Sequence, residues 1–134
     1  MPGAPVRDAA LMVAGMAPTL EPGRVVFATV DRPELIAGAV ATMWEPEGLS
    51  AILPLEIAAA EGLSVDLPLR QITLRIVSAL DGVGLTAAVS GALAAAGIAC
   101  NVVAAHHHDH LFVPERDAER ALAILQDLAA GGAG

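Results

Sequence analysis

The spacing of apolar residues changes several times along the chain, and the second half reads most clearly. Ile72, Leu74 and Ile76 alternate with Thr73 and Arg75, the period of a strand with one buried face. Asp81-Gly82-Val83-Gly84 reads as a turn. Leu85, Ala88, Val89, Ala92, Leu93 and Ala96 then fall at offsets 0, 3, 4, 7, 8 and 11, one stripe of an amphipathic helix. Gly97 follows as its C-terminal cap. Ile98 to Ala105 is rich in Val and Ile and predicts a second strand. His106 to Asp109 turns the chain into a short third strand, His110 to Val113. Pro114 ends that strand and opens a helix whose stripe is Ala118, Ala121, Leu122, Leu125 and Leu128.

The first half gives weaker signals. Val6 to Ala14 predicts a helix that stops before Gly15 and Pro18. Glu21-Pro22-Gly23 is a turn, and Val25 to Val30 is a strand. Pro33 to Met43 is ambiguous and reads best as a short helix. Gly48 to Leu53 predicts a strand, Pro54 to Glu61 a helix capped by Gly62, and Ser64 to Leu69 a linker. Gly48-Leu49-Ser50-Ala51 echoes Gly84-Leu85-Thr86-Ala87. Pro54 interrupts the first copy where the second needs a continuous helix, so the echo is not read as a repeat.

Polar residues alternate along the Ile72 strand, so helices should cover only one side of its sheet. A parallel sheet covered on both sides would be apolar throughout. A tight turn before a short strand implies an antiparallel hairpin. Together these predict an α+β fold, an open sandwich of the ferredoxin-like, βαββαβ type.

Composition narrows the function more than the fold. The chain has 134 residues, of which 55 % are apolar and 16 % charged, which excludes a disordered chain. Mean hydropathy is +0.63, high enough to suggest that part of the apolar surface is covered by a partner subunit. Seven positive residues, all Arg, face 15 acidic ones, for a net charge of −8. Such a surface repels phosphate backbones, so a nucleic-acid partner is not expected. No apolar run has the length of a membrane span; the stretch from Leu85 to Cys100 is broken by Thr86, Ser90, Gly91 and Gly97. The N-terminus shows no secretion signal, and the single Cys100 lies in an apolar run, so a reducing cytoplasm is expected. The tail from Gly131 to Gly134 reads as frayed.

Three segments could carry chemistry. Asp81-Gly82-Val83-Gly84-Leu85-Thr86 lies between a strand and a helix. Its glycines would let the backbone approach a ligand, and the helix start offers unpaired N–H groups to a carboxylate or phosphate. Its bland alternative is a tight turn. Read with Ala87 it loosely matches the dinucleotide pattern, but a dinucleotide fold needs buried parallel strands that this chain lacks. His106-His107-His108-Asp109-His110 would place His106, His108 and His110 on one face of a strand as possible metal ligands. No Cys or Glu completes a metal spacing, so a hydrogen-bonded turn or an interface cluster is the plainer reading. Trp44-Glu45-Pro46-Glu47-Gly48 carries two carboxylates that could serve acid–base hydrolysis, or could simply be an exposed loop. No serine elbow is present, and the chain has no lysine for a phosphate loop. No motif calls for a cofactor, and an enzyme is not expected.

The runs Ile72 to Leu80, Gly82 to Ser90, Gly97 to Ala104 and His108-Asp109-His110-Leu111-Phe112-Val113-Pro114 resemble small bacterial proteins of the ACT domain superfamily. More narrowly they resemble a stand-alone group with two ACT-like halves. Glu45 to Ser50 and Met16 to Gly23 resemble the first half of that group. The resemblance implies two tandem modules, residues 1–66 (partial or permuted) and 67–134, whose antiparallel sheets are covered by helices on one face. It implies a regulatory protein that holds a small amino acid between modules, and pairing into a homodimer. Carried over here, the ligand site is Asp81, Gly82, Val83, Gly84 and Leu85, with Asn101 across the interface. The final strand expected after the Leu125 helix is missing and would have to come from the first half. A ligand-free interaction module, or a metal protein using the His106 to His110 cluster, is the alternative.

Overall fold

The backbone follows the strongest periodicities closely. The structure, a computed structural model, describes residues 4–131. Its elements are α1 (Ala9–Ala14), β1 (Pro18–Leu20), β2 (Val25–Val30), α2 (Pro33–Ala37), β3 (Ala41–Glu45), β4 (Gly48–Pro54), α3 (Leu55–Ala60), β5 (Leu69–Leu74), α4 (Leu85–Ala95), β6 (Asn101–Ala104), β7 (Asp109–Pro114) and α5 (Ala118–Ala129). A 3-10 turn, Glu115–Asp117, joins β7 to α5. The last three residues of the tail expected to fray lie outside the described residues.

The chain forms two compact units that are not consecutive in sequence. One is Pro22–Arg70; the other joins the residues up to Glu21 with those from Gln71 onward. The sequence-based division into 1–66 and 67–134 concerns the tandem modules, and the compact units divide differently.

In the Pro22–Arg70 unit, β2 pairs antiparallel with β4, from Val25↔Pro54 to Val30↔Leu49. β4 pairs in turn with β3, from Ala41↔Ile52 to Glu45↔Gly48, closing a tight hairpin over Pro46 and Glu47. The opening residue of β5, Leu69, pairs antiparallel with Val25. Alternate residues Val26, Val30, Leu49, Ala51 and Leu53 face the helices and pack with Leu35 of α2 and Ala58 of α3. β3 falls in the segment read as ambiguous. Four of its five residues are exposed, so neither face alternates; pairing with β4 alone makes it a strand. The Gly48 echo is coincidental, because Gly48 opens a strand and Gly84 a helix.

In the other unit the strand order is β1-β5-β7-β6. β6 and β7 form the expected hairpin, from Asn101↔Phe112 to Ala104↔Asp109. β1 pairs antiparallel with β5, Pro18↔Leu74 to Leu20↔Ile72. The strand missing after α5 is therefore supplied by Pro18–Leu20, and both units have the α+β, ferredoxin-like order. Ile72, Leu74, Leu111 and Val113 face α4, α5 and α1, where they pack on Val89, Leu93, Ala121, Leu125 and Met12. Thr73 points the other way. That face is polar as expected, yet Thr73 is buried, because Gln71 and His110 hydrogen-bond across it.

Candidate functional site

β5 ends at Leu74, two residues short of the predicted Ile76. Arg75 and Ile76 instead donate their N–H groups to the Met16 carbonyl. The N-terminal segment then runs beside the loop that follows. Val6 N–H donates to Val77 O at 2.8 Å and Ala79 N–H to Val6 O at 2.9 Å. Arg7 Nη2 lies 2.9 Å from Asp81 Oδ1. Asp8 accepts from Leu11 N–H at 3.0 Å and caps α1, which places Ala9 and Met12 under the loop.

Gly84 precedes α4 with φ 114°, a left-handed conformation that favours glycine. A Cβ there would meet Ala9 Cβ at 2.8 Å, and one at Gly82 would meet Met12 Sδ at 3.3 Å. The close approach that these glycines permit is therefore that of α1. Among the described residues no side chain caps α4, and its first carbonyl bond runs from Ala88 N–H to Gly84 O. The N–H groups of Leu85, Thr86 and Ala87 have no intrahelical partner, which suits an anion.

Beside this helix start is a cavity of 470 Å³, lined by Met12, Ser78 to Leu80, Gly82 to Ala87, Ala104, Ala105 and Asp109. The size suits a small ligand. Of the sequence-predicted residues, Gly82, Val83, Gly84 and Leu85 line it. Asp81 is turned to Arg7. Asn101 is exposed at the start of β6, opposite Phe112, and does not line the cavity.

Asp109 is the residue that sequence reasoning missed here. It begins β7 and is only 8 % exposed. Burial pushes its carboxyl above the ordinary aspartate range, against the opposing pull of His110, the Ser78 hydroxyl bond and His108. In the sequence it sits inside the histidine run, where nothing marks it as buried.

The histidines do not converge. His106 and His107 stack edge to face with centroids 4.5 Å apart. His108 Nδ1 lies 3.2 Å from Ile76 O. His110 Nδ1 lies 3.1 Å from Thr73 Oγ1 and 3.2 Å from Gln71 Nε2. Burial holds the His110 pKa below its ordinary value, with His108 and Arg75 adding to the shift and Asp109 and Glu21 opposing it. Among the described residues, no group of three or more His, Cys, Asp or Glu is placed to hold a metal ion. Glu45 ends β3 and Glu47 sits in the hairpin, both exposed. Cys100 is free and half-buried against the α4–α5 core, and burial pushes its thiol pKa up. No helix of the described residues is long and apolar enough to cross a membrane.

Two family models, each described as an ACT domain, match the chain, one over residues 66–127 and the other over 4–70. No curated protein matches it. Among solved structures, it is similar to a protein of unknown function from Vibrio cholerae, described as a possible transport protein. The two are 40 % identical, with 87 % of this chain and 92 % of that one covered and a TM-score of 0.77. A protein from Agrobacterium tumefaciens is 20 % identical over 79 % of this chain and 81 % of its own, with a TM-score of 0.60. The regulatory subunit of aspartate kinase from Thermus flavus is 12 % identical over 83 % of this chain and 95 % of its own, with a TM-score of 0.57. The two more distant likenesses carry the fold and nothing more.

Proposed function

This chain belongs to the ACT domain family, and on that premise we propose that it is a regulatory protein that binds a small amino acid. The family supports a regulatory, small-ligand role in general. The observation that carries the finer reading is the 470 Å³ cavity beside the uncapped start of α4. The N–H groups of Leu85, Thr86 and Ala87, without intrahelical partners, would take the ligand's carboxylate, and Gly82, Val83 and Gly84 would wall it. In this reading the protein is a cytoplasmic homodimer built from two tandem modules. A ligand that prefers one packing of those modules shifts the population toward it, and a partner protein reads the change. Catalysis is not part of this role.

A thermal-shift screen of the twenty amino acids tests it. One or a few should raise the melting temperature in proportion to ln(1 + [L]/Kd), about 2.7 kcal/mol of added stability at a hundredfold excess over Kd. If none moves the transition, the protein is a ligand-free interaction module and the reading is wrong.

A further inference from the structure

Asp109 is a buried ionisable group that the reading above leaves without a role. Among the described residues it is the single ionisable one lining the α4 cavity, and the rest of that lining is apolar or small apart from the hydroxyls of Ser78 and Thr86. A carboxylate held away from water is costly unless donors or a cation face it. The Ser78 hydroxyl supplies one hydrogen bond. The flanking imidazoles turn their Nδ1 atoms elsewhere, His108 to Ile76 O and His110 to Thr73 and Gln71. The chain contains no lysine. The arginines in and beside the neighbouring loop are engaged, Arg7 with Asp81 and Arg75 with Glu21. Among the described residues, the lining therefore carries one buried carboxyl, drawn on by Ser78, His108 and His110, and no Arg, Lys or His of its own, next to a helix start that favours an anion from the ligand.

We propose that Asp109 receives the ammonium group of the ligand, so that the cavity takes α-amino acids with apolar side chains and rejects the matching 2-hydroxy acids. A zwitterion satisfies both ends of such a cavity, its carboxylate at the N–H groups of α4 and its ammonium at Asp109. The walls left for the side chain are Met12, Leu80, Val83 and Leu85. A 2-hydroxy acid has the same shape but no cation, and it would leave the carboxylate with only Ser78 and the pull of the two flanking histidines. The inference rests on the amino-acid reading and adds the residue that recognises the amine.

The test is calorimetric titration of the intact protein with L-valine and L-leucine, each beside its 2-hydroxy acid of the same configuration. The wild-type protein should prefer the amino acid by about 30-fold or more, and Asp109→Asn should shrink that preference to about threefold or less. Asn keeps the shape and can still accept from Ser78, and urea unfolding of the variant checks that it is folded. Should it fail to fold, the wild-type preference alone decides. A wild-type protein that binds the hydroxy acids as well as the amino acids overturns the inference. So does a folded Asp109→Asn protein that keeps the full preference. If valine and leucine fail while another amino acid binds in the screen, the inference falls and the regulatory reading stands. If no amino acid binds at all, both fall.

Discussion

The two units make the same step from a first strand to a first helix in opposite ways. In the Pro22–Arg70 unit, only Asp31 and Arg32 separate β2 from α2, and Pro33 starts a helix of five residues. The Arg32 guanidinium is paired with Glu61, and the groove beside it, lined by Val30, Arg32, Ile36 and Trp44 among others, measures 280 Å³. In the other unit, residues 75–84 separate β5 from α4, an eleven-residue helix with a left-handed glycine before it. The cavity there measures 470 Å³. The difference teaches that a ligand-sized space comes from the length of the connection and from what packs beneath it. A proline start with a short link leaves a smaller groove, with Arg32 at its edge paired to Glu61. A long link, floored by α1 from the N-terminus, holds the helix start open.

Gly84→Val offers the largest way to break this comparison. It adds a side chain at a left-handed φ and against Ala9, and should cost about 2–5 kcal/mol in urea unfolding. Gly62→Ala in the other unit shares a positive φ but faces open space, so its cost should stay near 1–2 kcal/mol. Equal costs would mean that α1 does not press on Gly84 in solution.

The polar face of β5 gives a middle-sized test. Thr73→Val removes the hydroxyl beside His110 and should cost about 1–2 kcal/mol. The same site sets a pH dependence. The folded state holds His110 below its ordinary pKa of 6.5, so below that pH the unfolded chain binds the proton that the folded one resists. Stability should therefore fall as pH drops from about 7 to about 5, and His110→Gln should flatten that slope. Asp109 acts with the opposite sign. Its raised pKa favours the folded state toward acid and is lost as pH rises through the folded value, so it cannot produce the expected fall.

The smallest effects should come from the two arginine pairs. The Arg7 and Asp81 side chains are 66 % and 75 % exposed, and those of Arg32 and Glu61 are 48 % and 31 %. Arg7→Ala and Arg32→Ala should each cost less than about 1 kcal/mol by thermal unfolding, with Arg32→Ala the larger of the two. A much larger loss for Arg7→Ala would make the N-terminal segment a clamp on the loop rather than a neighbour of it.

Legibility in the sequence tracked how strongly a segment's own period spoke. β2 runs from Val25 to Val30 as its apolar run predicts, and α4 ends one residue before the predicted Ala96. β3 was hidden because most of its residues are exposed, and β1 because three residues are too few for a period. The glycine-flanked start of α4 could be read from a turn followed by a stripe. Asp109 could not, because its burial follows from the register Ala104↔Asp109 at the end of the hairpin.

The sequence by itself determined the α+β class, most of the elements and the glycine-led start of α4, since each is written in neighbouring residues. Only the tertiary structure decided that Pro18–Leu20 completes the sheet formed from Gln71 onward, that the glycines make room for Ala9 and Met12, and that Asp109 is buried beside the cavity. Those outcomes depend on segments more than fifty residues apart, or on a strand register, and the local period of apolar residues carries no information about which distant partner a strand will find.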